Sequence, residues 1–217
     1  MIMYKAVIFD LDGTLLDSLN DILDVLNNTL AHFDLPRITR AQAQSYIGNG
    51  ARELVRRAIG EKNGGRLDGI LAYYKDKYAL SENKLARLYG GEDKALRQLN
   101  KAGVKLAVLT NKPHAAAVRA NEIFFKDFAF DCVLGQKDGA PLKPDPQAVY
   151  AILSELGVKK DECLFVGDGE TDVETAKNAG MDCVSVLWGY RTKAQLKAAG
   201  ATRFVESFDE LVKEISK

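Results

Sequence analysis

The chain has 217 residues, 47% of them hydrophobic, and its 30 Lys and Arg balance its 30 Asp and Glu to a formal net charge of zero. This length allows one large domain or one domain with an insert. The neutral charge and the lack of a basic cluster argue against nucleic-acid binding. No apolar run approaches the ~20 residues that a membrane-spanning helix needs.

The N-terminal segment and the cysteines favour a reducing compartment. A charged residue, Asp10, comes too early for a signal peptide. Cys132, Cys163 and Cys183 match neither a zinc pattern nor a disulfide framework, and we expect them to be buried small residues. These features predict a cytoplasmic protein with no membrane partner.

The first strand is followed at once by acidic residues. The apolar run over residues 6–9 predicts a buried strand that ends at the carboxylate of Asp10. Asp12 follows two residues later, and Gly13 allows a sharp turn. An Asp-Gly turn after a strand is one explanation. Two carboxylates at this edge of an open α/β sheet, however, favour a divalent cation with oxygen ligands.

A helical stretch then interrupts the strands. Apolar residues recur at helical spacing over 19–33, 54–59 and 67–78, and no convincing strand lies among them. We therefore expect an all-helical domain over residues 17–83. It is inserted into a core domain formed by residues 1–16 and 84–217.

Helices and strands alternate from residue 84 onward, which is typical of a parallel sheet with right-handed crossovers. Asp145-Pro146 is interpreted as a helix start, and Thr171, Thr192 and Ser207 as the N-caps of later helices. The fold class is thus α/β, a doubly wound parallel sheet with an all-helical insert. Its later strands are predicted over 104–109, 130–134, 163–166 and 183–187.

Polar side chains follow several of these strands. Thr110 and Asn111 end one strand, Asp168 ends another, and Asp172 begins the next helix. Lys143 lies in a proline-rich loop. Each has an ordinary explanation, as a helix cap, a charge at a helix N-terminus or a solvated loop charge. Because parallel strands end at one edge, we expect all of them to meet there.

Such a set could carry out phosphoryl transfer. Asp10 could attack phosphorus, and Asp12 could protonate the leaving oxygen and then activate water. Lys143 and the Thr110 hydroxyl could neutralise the phosphoryl charge.

The remaining acidic residues are interpreted as part of a metal site. Asp168 could complete the site, and Asp172 could hold Lys143 or a metal-bound water without itself binding the metal. Mg²⁺ is the expected cofactor because the ligands are oxygens and the site must leave room for phosphate.

Four ordered motifs resemble those of the haloacid dehalogenase superfamily of phosphohydrolases. They lie at residues 10–14 (DLDGT), 110–111 (TN), 143–146 (KPDP) and 167–172 (GDGETD). The resemblance covers the whole chain and implies that the insert is the family's cap domain. It implies that Asp10 is the nucleophile and Asp12 the general acid and base. It also implies that Mg²⁺ is bound by the Asp10 carboxylate, the Asp12 backbone carbonyl and the Asp168 carboxylate. Gly169 departs from the pattern, since many members have serine there.

Within the superfamily, the loop over residues 46–52 and the Asp17-Ser18 pair resemble phosphoglycolate phosphatases. The resemblance implies that the substrate is 2-phosphoglycolate, a small phosphate ester. The loop residues Gly48 and Asn49 could bind it through N–H groups, and Arg52 could meet its carboxylate. An exposed loop with a solvated Arg52 explains the same residues equally well. Thr14 and Asn111 complete the substrate-binding set.

Two other functions stay open. A sugar-phosphate mutase similar to β-phosphoglucomutase would use the same Asp10 and Asp12 but return the phosphoryl group to a sugar. A non-enzymatic phospho-receiver module also carries an acidic cluster, a threonine and a lysine, but its acidic pair and phosphorylated aspartate come in a different order. The sequence leaves both a monomer and a homodimer possible.

Overall fold

The computed structural model describes residues 4–128 and 130–216. Its centre is a six-stranded sheet. The strands are β1 (Ala6–Phe9), β4 (Lys105–Pro113), β5 (Cys132–Gln136), β6 (Cys163–Gly167), β7 (Asp182–Val186) and β8 (Phe204–Val205). Their order in the sheet is β5-β4-β1-β6-β7-β8, and every neighbouring pair is parallel. The predicted α/β class is confirmed.

Helices cover both faces of this sheet. In β1, Val7 and Phe9 point into one apolar core, while Ala6 and Ile8 point into the other. A strand buried on both faces has a continuous apolar sequence, which explains why β1 lacks an alternating pattern. One face carries α5 (Glu92–Lys101), α6 (His114–Phe124) and α10 (Phe208–Ile215); the other carries α7 (Gln147–Leu156) and α8 (Glu170–Ala179). A short helix, α9 (Lys193–Ala198), follows β7, and a 3₁₀ turn (Lys160–Glu162) precedes β6.

The helical insert has its own apolar core, which includes Leu26, Ile70 and Tyr74. It lies between two short strands, β2 (Leu16–Asp17) and β3 (Arg87–Leu88), which pair antiparallel. We refer to this insert, four helices with the segments that join them, as the cap. The helices are α1 (Leu19–His32), α2 (Arg40–Tyr46), α3 (Gly50–Ile59) and α4 (Leu67–Ala79), with a 3₁₀ turn (Glu61–Arg66) before α4.

Several short elements differ from the predictions. The strands β2, β3 and β8 have two residues each, which is too short for any periodic signal. Strand β5 begins at Cys132, two residues later than predicted, and Phe130 before it packs edge-on against Phe125 with the ring centroids 5.5 Å apart. Helix α2 was not predicted, although Thr39 and Gln42 form a capping box at its start.

Strand β4 ends later than predicted, at Pro113 instead of residue 109. Its pairing with β5 shifts register between Leu109 and Pro113. This continuation carries Thr110, Asn111 and the following lysine along the edge of the sheet.

The predicted helix starts have mixed outcomes. Thr192 and Ser207 accept the N–H groups of Gln195 and Glu210, as predicted. Thr171 is not an N-cap, because α8 begins one residue earlier. Asp145 precedes the first turn of α7, where its Oδ1 accepts the Gln147 N–H at 2.9 Å.

The cysteines are less uniformly buried than predicted, since Cys163 is buried and the other two are half-buried. Among the described residues, none of the helices combines the length and the apolar character needed to cross a membrane.

Candidate active site

The loop after β1 folds around the carboxylate of Asp168. Gly13 has a φ of +95°, and a Cβ added there would lie 2.4 Å from Oδ2 of Asp168. Glycine is therefore required at this position both for the backbone conformation and for space. On the other side of the carboxylate, the Tyr190 N–H donates to Oδ2 at 2.6 Å. Thr14, buried behind the loop, contacts Oδ1 at 3.4 Å.

Lys143 is buried between two carboxylates and is not a solvated loop charge. Its Nζ lies 2.8 Å from Oδ1 of Asp10 and 2.7 Å from Oδ1 of Asp172, with 2% of its side chain exposed. Burial alone would lower the pKa of Lys143, but the two carboxylates outweigh burial and raise it. Lys143 therefore carries a fixed positive charge beside Asp10.

Asn111 holds the Lys143 loop in place. Its Oδ1 accepts the Lys143 N–H at 2.8 Å, and its Nδ2 donates to the Lys143 carbonyl at 3.0 Å. The same Nδ2 donates to the Gly48 carbonyl of the cap at 2.9 Å. One amide thus joins β4, the lysine loop and the cap.

Three carboxylates meet at the edge of the sheet. Oxygen atoms of Asp10, Asp168 and Asp172 all lie within 4.8 Å of one another, and all three residues are buried. Burial raises the pKa of Asp10 to about 7, and the Asp172 charge adds to the shift while Lys143 opposes it. Burial and the two neighbouring carboxylates raise the pKa of Asp168 well above its ordinary value. The cluster therefore has more negative charge than Lys143 can balance, which fits a bound divalent cation.

Asp12 has different partners from Asp10. Its Oδ1 accepts the Ser18 hydroxyl at 2.5 Å and lies 2.7 Å from Nζ of Lys112. The Lys112 ammonium is buried, and it also donates to the Tyr78 hydroxyl of α4. Sequence reasoning missed Lys112 and Tyr78. Because β4 was predicted to end at residue 109, Lys112 was not expected at the carboxyl edge of the sheet.

A cavity of about 620 Å³ lies between the cap and the carboxyl end of the sheet. Most of the predicted site residues line it. These are Asp10, Asp12, Gly48, Asn49, Thr110, Asn111, Lys143, Asp168 and Asp172.

Two predicted substrate-binding residues do not line this cavity. Thr14 is fully buried behind the Asp168 loop. Arg52 lies on the outer side of α3, where 60% of its side chain is exposed and its Nη1 pairs with Asp68 at 2.8 Å. Arg57, on the same helix, lines the cavity instead and donates to the Asn49 side chain at 3.2 Å.

The segment after β7 joins the core to the cap. Arg191 pairs with Glu170 at 2.8 Å and donates to the carbonyls of Gln44 and Ile47 at 2.9 and 2.8 Å. The Gln44 side chain donates back to the Tyr190 carbonyl at 2.9 Å. The position of this segment directly after a parallel strand places it at the edge of the sheet where ligands bind in open α/β folds.

Together with the cap above them, the clustered carboxylates and the buried lysine are the features of a hydrolase with a parallel α/β core and a helical cap. The model of the family described as haloacid dehalogenase-like hydrolase matches residues 7–186. The chain belongs to this family, and it is an enzyme with the family's fold.

Relatives of known name align with nearly the whole chain. A phosphoglycolate phosphatase of Rhodospirillum rubrum is 39% identical, over 96% of this chain and 90% of that protein. One from Mannheimia succiniciproducens is 33% identical, over 97% of each. The solved structure of a Lactobacillus delbrueckii subsp. bulgaricus protein superposes with a TM-score of 0.87 at 30% identity, covering 99% of both chains.

Proposed function

We propose that this protein hydrolyses 2-phosphoglycolate to glycolate and phosphate, with Mg²⁺ as cofactor and a covalent phosphate on Asp10 as intermediate. The ion pair of Asp10 with Lys143 inside the carboxylate cluster carries this proposal. The relatives named phosphoglycolate phosphatase support the choice of substrate.

The reaction has two displacements at phosphorus. A carboxylate oxygen of Asp10 attacks the phosphorus, and the bond from phosphorus to the glycolate oxygen breaks while Asp12 gives that oxygen its proton. A water molecule then attacks the phosphorus of the phospho-aspartate and gives its proton to Asp12. Phosphate leaves, and Asp10 and Asp12 return to their starting states.

Lys143 and the end of β4 support the first displacement. Lys143 keeps the Asp10 carboxylate in one orientation and adds positive charge beside the phosphoryl group. Thr110 lines the cavity and offers its hydroxyl to a phosphoryl oxygen. Asn111 positions both groups through its bonds to the Lys143 loop.

The cofactor assignment rests on the donor set. The Asp10 and Asp168 carboxylates and the Asp12 backbone carbonyl would hold Mg²⁺, which would neutralise charge on the phosphoryl oxygens when bound. Asp172 lies within the same cluster. We assign it a supporting role outside the ligand set, where its oxygens accept bonds from Lys143 at 2.7 Å and from the Gly169 N–H at 2.9 Å.

We assign residues 17–83 to a cap domain and residues 1–16 and 84–217 to the core. The separate apolar core of the cap supports this division. The cap covers the cavity, and its contacts with Arg191 and Asn111 support a role in excluding bulk water.

A phosphate-release assay with Mg²⁺ tests the proposal. We expect 2-phosphoglycolate to have the highest kcat/KM in a panel with sugar phosphates, nucleotides and 2-hydroxyethyl phosphate. Conversion of β-glucose 1-phosphate to glucose 6-phosphate without phosphate release would identify a mutase. A phospho-aspartate that lasts for minutes without phosphate release would identify a receiver module.

A further inference from the structure

A substrate with a carboxylate needs a cationic partner in the cavity, and the predicted partner, Arg52, lies outside it. Among the described residues, four cationic side chains line the cavity. They are Arg57, Lys112, Lys143 and Arg191.

Three of these cations are bonded to groups other than Asp12, although each keeps N–H donors of its own. Lys143 is held between Asp10 and Asp172. The Arg191 guanidinium bonds Glu170 and two cap carbonyls. The Arg57 guanidinium bonds Glu53, the Tyr46 carbonyl and the Asn49 side chain.

Lys112 is the fourth cation and, of the four, the one that contacts Asp12; its ammonium also keeps a donor for a ligand. An ammonium has three N–H donors. Asp12 and the Tyr78 hydroxyl take two of them. Because Tyr78 accepts from Lys112, the phenolic hydrogen of Tyr78 is also available to a ligand. Burial raises the pKa of Tyr78 well above its ordinary value, so the phenol keeps that hydrogen.

The position of Lys112 suits the geometry of the substrate. Its Nζ lies 2.7 Å from the Asp12 oxygen, and Asp12 is the group that would protonate the leaving oxygen. In 2-phosphoglycolate a single methylene separates that oxygen from the carboxylate. A carboxylate one methylene away from the atom that Asp12 serves therefore falls within reach of the Lys112 ammonium.

We propose that Lys112, assisted by the Tyr78 hydroxyl, binds the substrate carboxylate and determines the specificity of the site. This inference rests on the proposed function, because it assigns the carboxylate of the proposed substrate to a binding group. It pairs a core residue with a cap residue, so carboxylate recognition depends on the cap being in place over the core.

The test compares two ligands that differ only in the carboxylate. 2-Phosphoglycolate and 2-hydroxyethyl phosphate are each used as inhibitors of p-nitrophenyl phosphate hydrolysis, so that binding is measured whether or not either compound is hydrolysed. We expect the wild-type protein to bind 2-phosphoglycolate more tightly. In Lys112→Gln we expect its inhibition constant to rise about tenfold to a hundredfold, with a change below about threefold for 2-hydroxyethyl phosphate.

Matched variants complete the design. Lys112→Gln removes the charge but keeps amide N–H donors on a side chain one bond shorter, and Lys112→Met removes both charge and donors, so loss of selectivity in both variants is the result expected if the ammonium charge is its source. Tyr78→Phe should weaken the same selectivity by about threefold to tenfold. Lys62→Met, at an exposed cap position, should leave both inhibition constants unchanged.

Two results would overturn the inference. One is a wild-type protein that does not distinguish the two ligands. The other is a Lys112 variant in which both inhibition constants change by the same factor, or in which neither changes; a common factor would mean that Lys112 only positions Asp12. Failure of the proposed function has a separate signature, since the wild-type protein would then release no phosphate from 2-phosphoglycolate, whatever its inhibition constant.

Discussion

The ammonium of Lys143 lies 2.8 Å from Oδ1 of Asp10, and both side chains are buried at the carboxyl end of the central strands. The carboxylate that we propose as the nucleophile is thus fixed by a largely buried ion pair. Asp172 shares the same ammonium at 2.7 Å. Loss of one carboxylate therefore leaves Lys143 with a second counter-charge.

This sharing makes Asp10→Asn an interpretable variant. Asparagine still accepts a hydrogen bond from Lys143 but cannot form a phospho-aspartate. We expect phosphate release to fall by about a thousandfold or more, while circular dichroism and a cooperative thermal transition show a folded chain. Asp145→Asn, in the loop before α7, is the matched control and should keep most of the activity. Turnover that survives in Asp10→Asn would show that another group attacks phosphorus.

Mg²⁺ should stabilise the protein, and more strongly as the pH rises. Because burial raises the pKa of Asp10 to about 7, ionising it costs stability in the metal-free fold as the pH rises from its ordinary value of 3.8 through about 7. A bound cation favours the ionised carboxylate and reverses that loss. We expect the increase in Tm on adding Mg²⁺ to be larger at about pH 8 than at about pH 6.

Asp168→Asn should abolish most of this increase, and the exposed Asp161→Asn should leave it unchanged. Calorimetry or thermal shift in EDTA and in Mg²⁺ measures both. An increase in Tm that Asp168→Asn retains in full would place the cation elsewhere.

Much of the site could be predicted because a parallel sheet collects strand ends at one edge. That rule predicts the positions of Asp10, Asp12 and Asp168. The position of Lys143 was predicted from its loop, which lies between predicted elements. Arg52 could not be placed, because the helical pattern of α3 does not show which polar residue faces the core. Arg57 faces the cavity instead, on the same helix.

Lys112 and Arg191 were missed for a different reason. Both depend on tertiary contacts with the cap, which a local pattern does not contain. Lys112 gains its role from the continuation of β4 and from Tyr78 of α4. Arg191 gains its role from two backbone carbonyls of the cap. The short strands β2 and β3 were missed because two residues carry no periodicity.

Glu92 is a buried carboxylate at the start of α5 that lies outside the proposed site. In the described part of the chain, neither of its oxygens has a hydrogen-bond partner. Burial raises the pKa of Glu92 to about 9, and the Tyr89 backbone opposes this only in part. The unfolded chain ionises near the ordinary value of 4.5, so the stability linked to Glu92 is complete below that pH and is lost as the pH rises to about 9.

Glu92→Gln should therefore stabilise the fold at neutral and alkaline pH. We expect its free energy of unfolding to exceed that of the wild type by about 4–5 kcal/mol at about pH 8, and the difference to shrink as the pH approaches about 5. Urea unfolding at several pH values measures this. The exposed Glu61→Gln should stay within about 0.5 kcal/mol of wild type throughout. A pH-independent difference for Glu92→Gln would show that Glu92 is already ionised in the fold.

Substitution of Arg191 and of Arg52 by alanine should affect the kinetics differently. Arg191 joins Glu170 of the core to the carbonyls of Gln44 and Ile47, and 13% of its side chain is exposed. We expect Arg191→Ala to raise KM for 2-phosphoglycolate by about tenfold, because a cap without these bonds closes less readily. Arg191→Lys should recover little, since one ammonium cannot reproduce the guanidinium's fixed pair of bonds to two carbonyls.

Arg52→Ala is the matched comparison. Its guanidinium pairs with Asp68 on the surface, with 60% and 85% of the two side chains exposed. A pair this exposed contributes little to the fold, and Arg52 does not line the cavity. We expect kcat and KM to stay within about twofold of wild type. Steady-state kinetics on 2-phosphoglycolate and on 2-hydroxyethyl phosphate separates the two arginines. A loss of kcat/KM in Arg52→Ala that is confined to 2-phosphoglycolate would mean that α3 turns Arg52 toward the bound carboxylate. Arg52 of the cap, and not Lys112, would then be the residue that recognises the carboxylate.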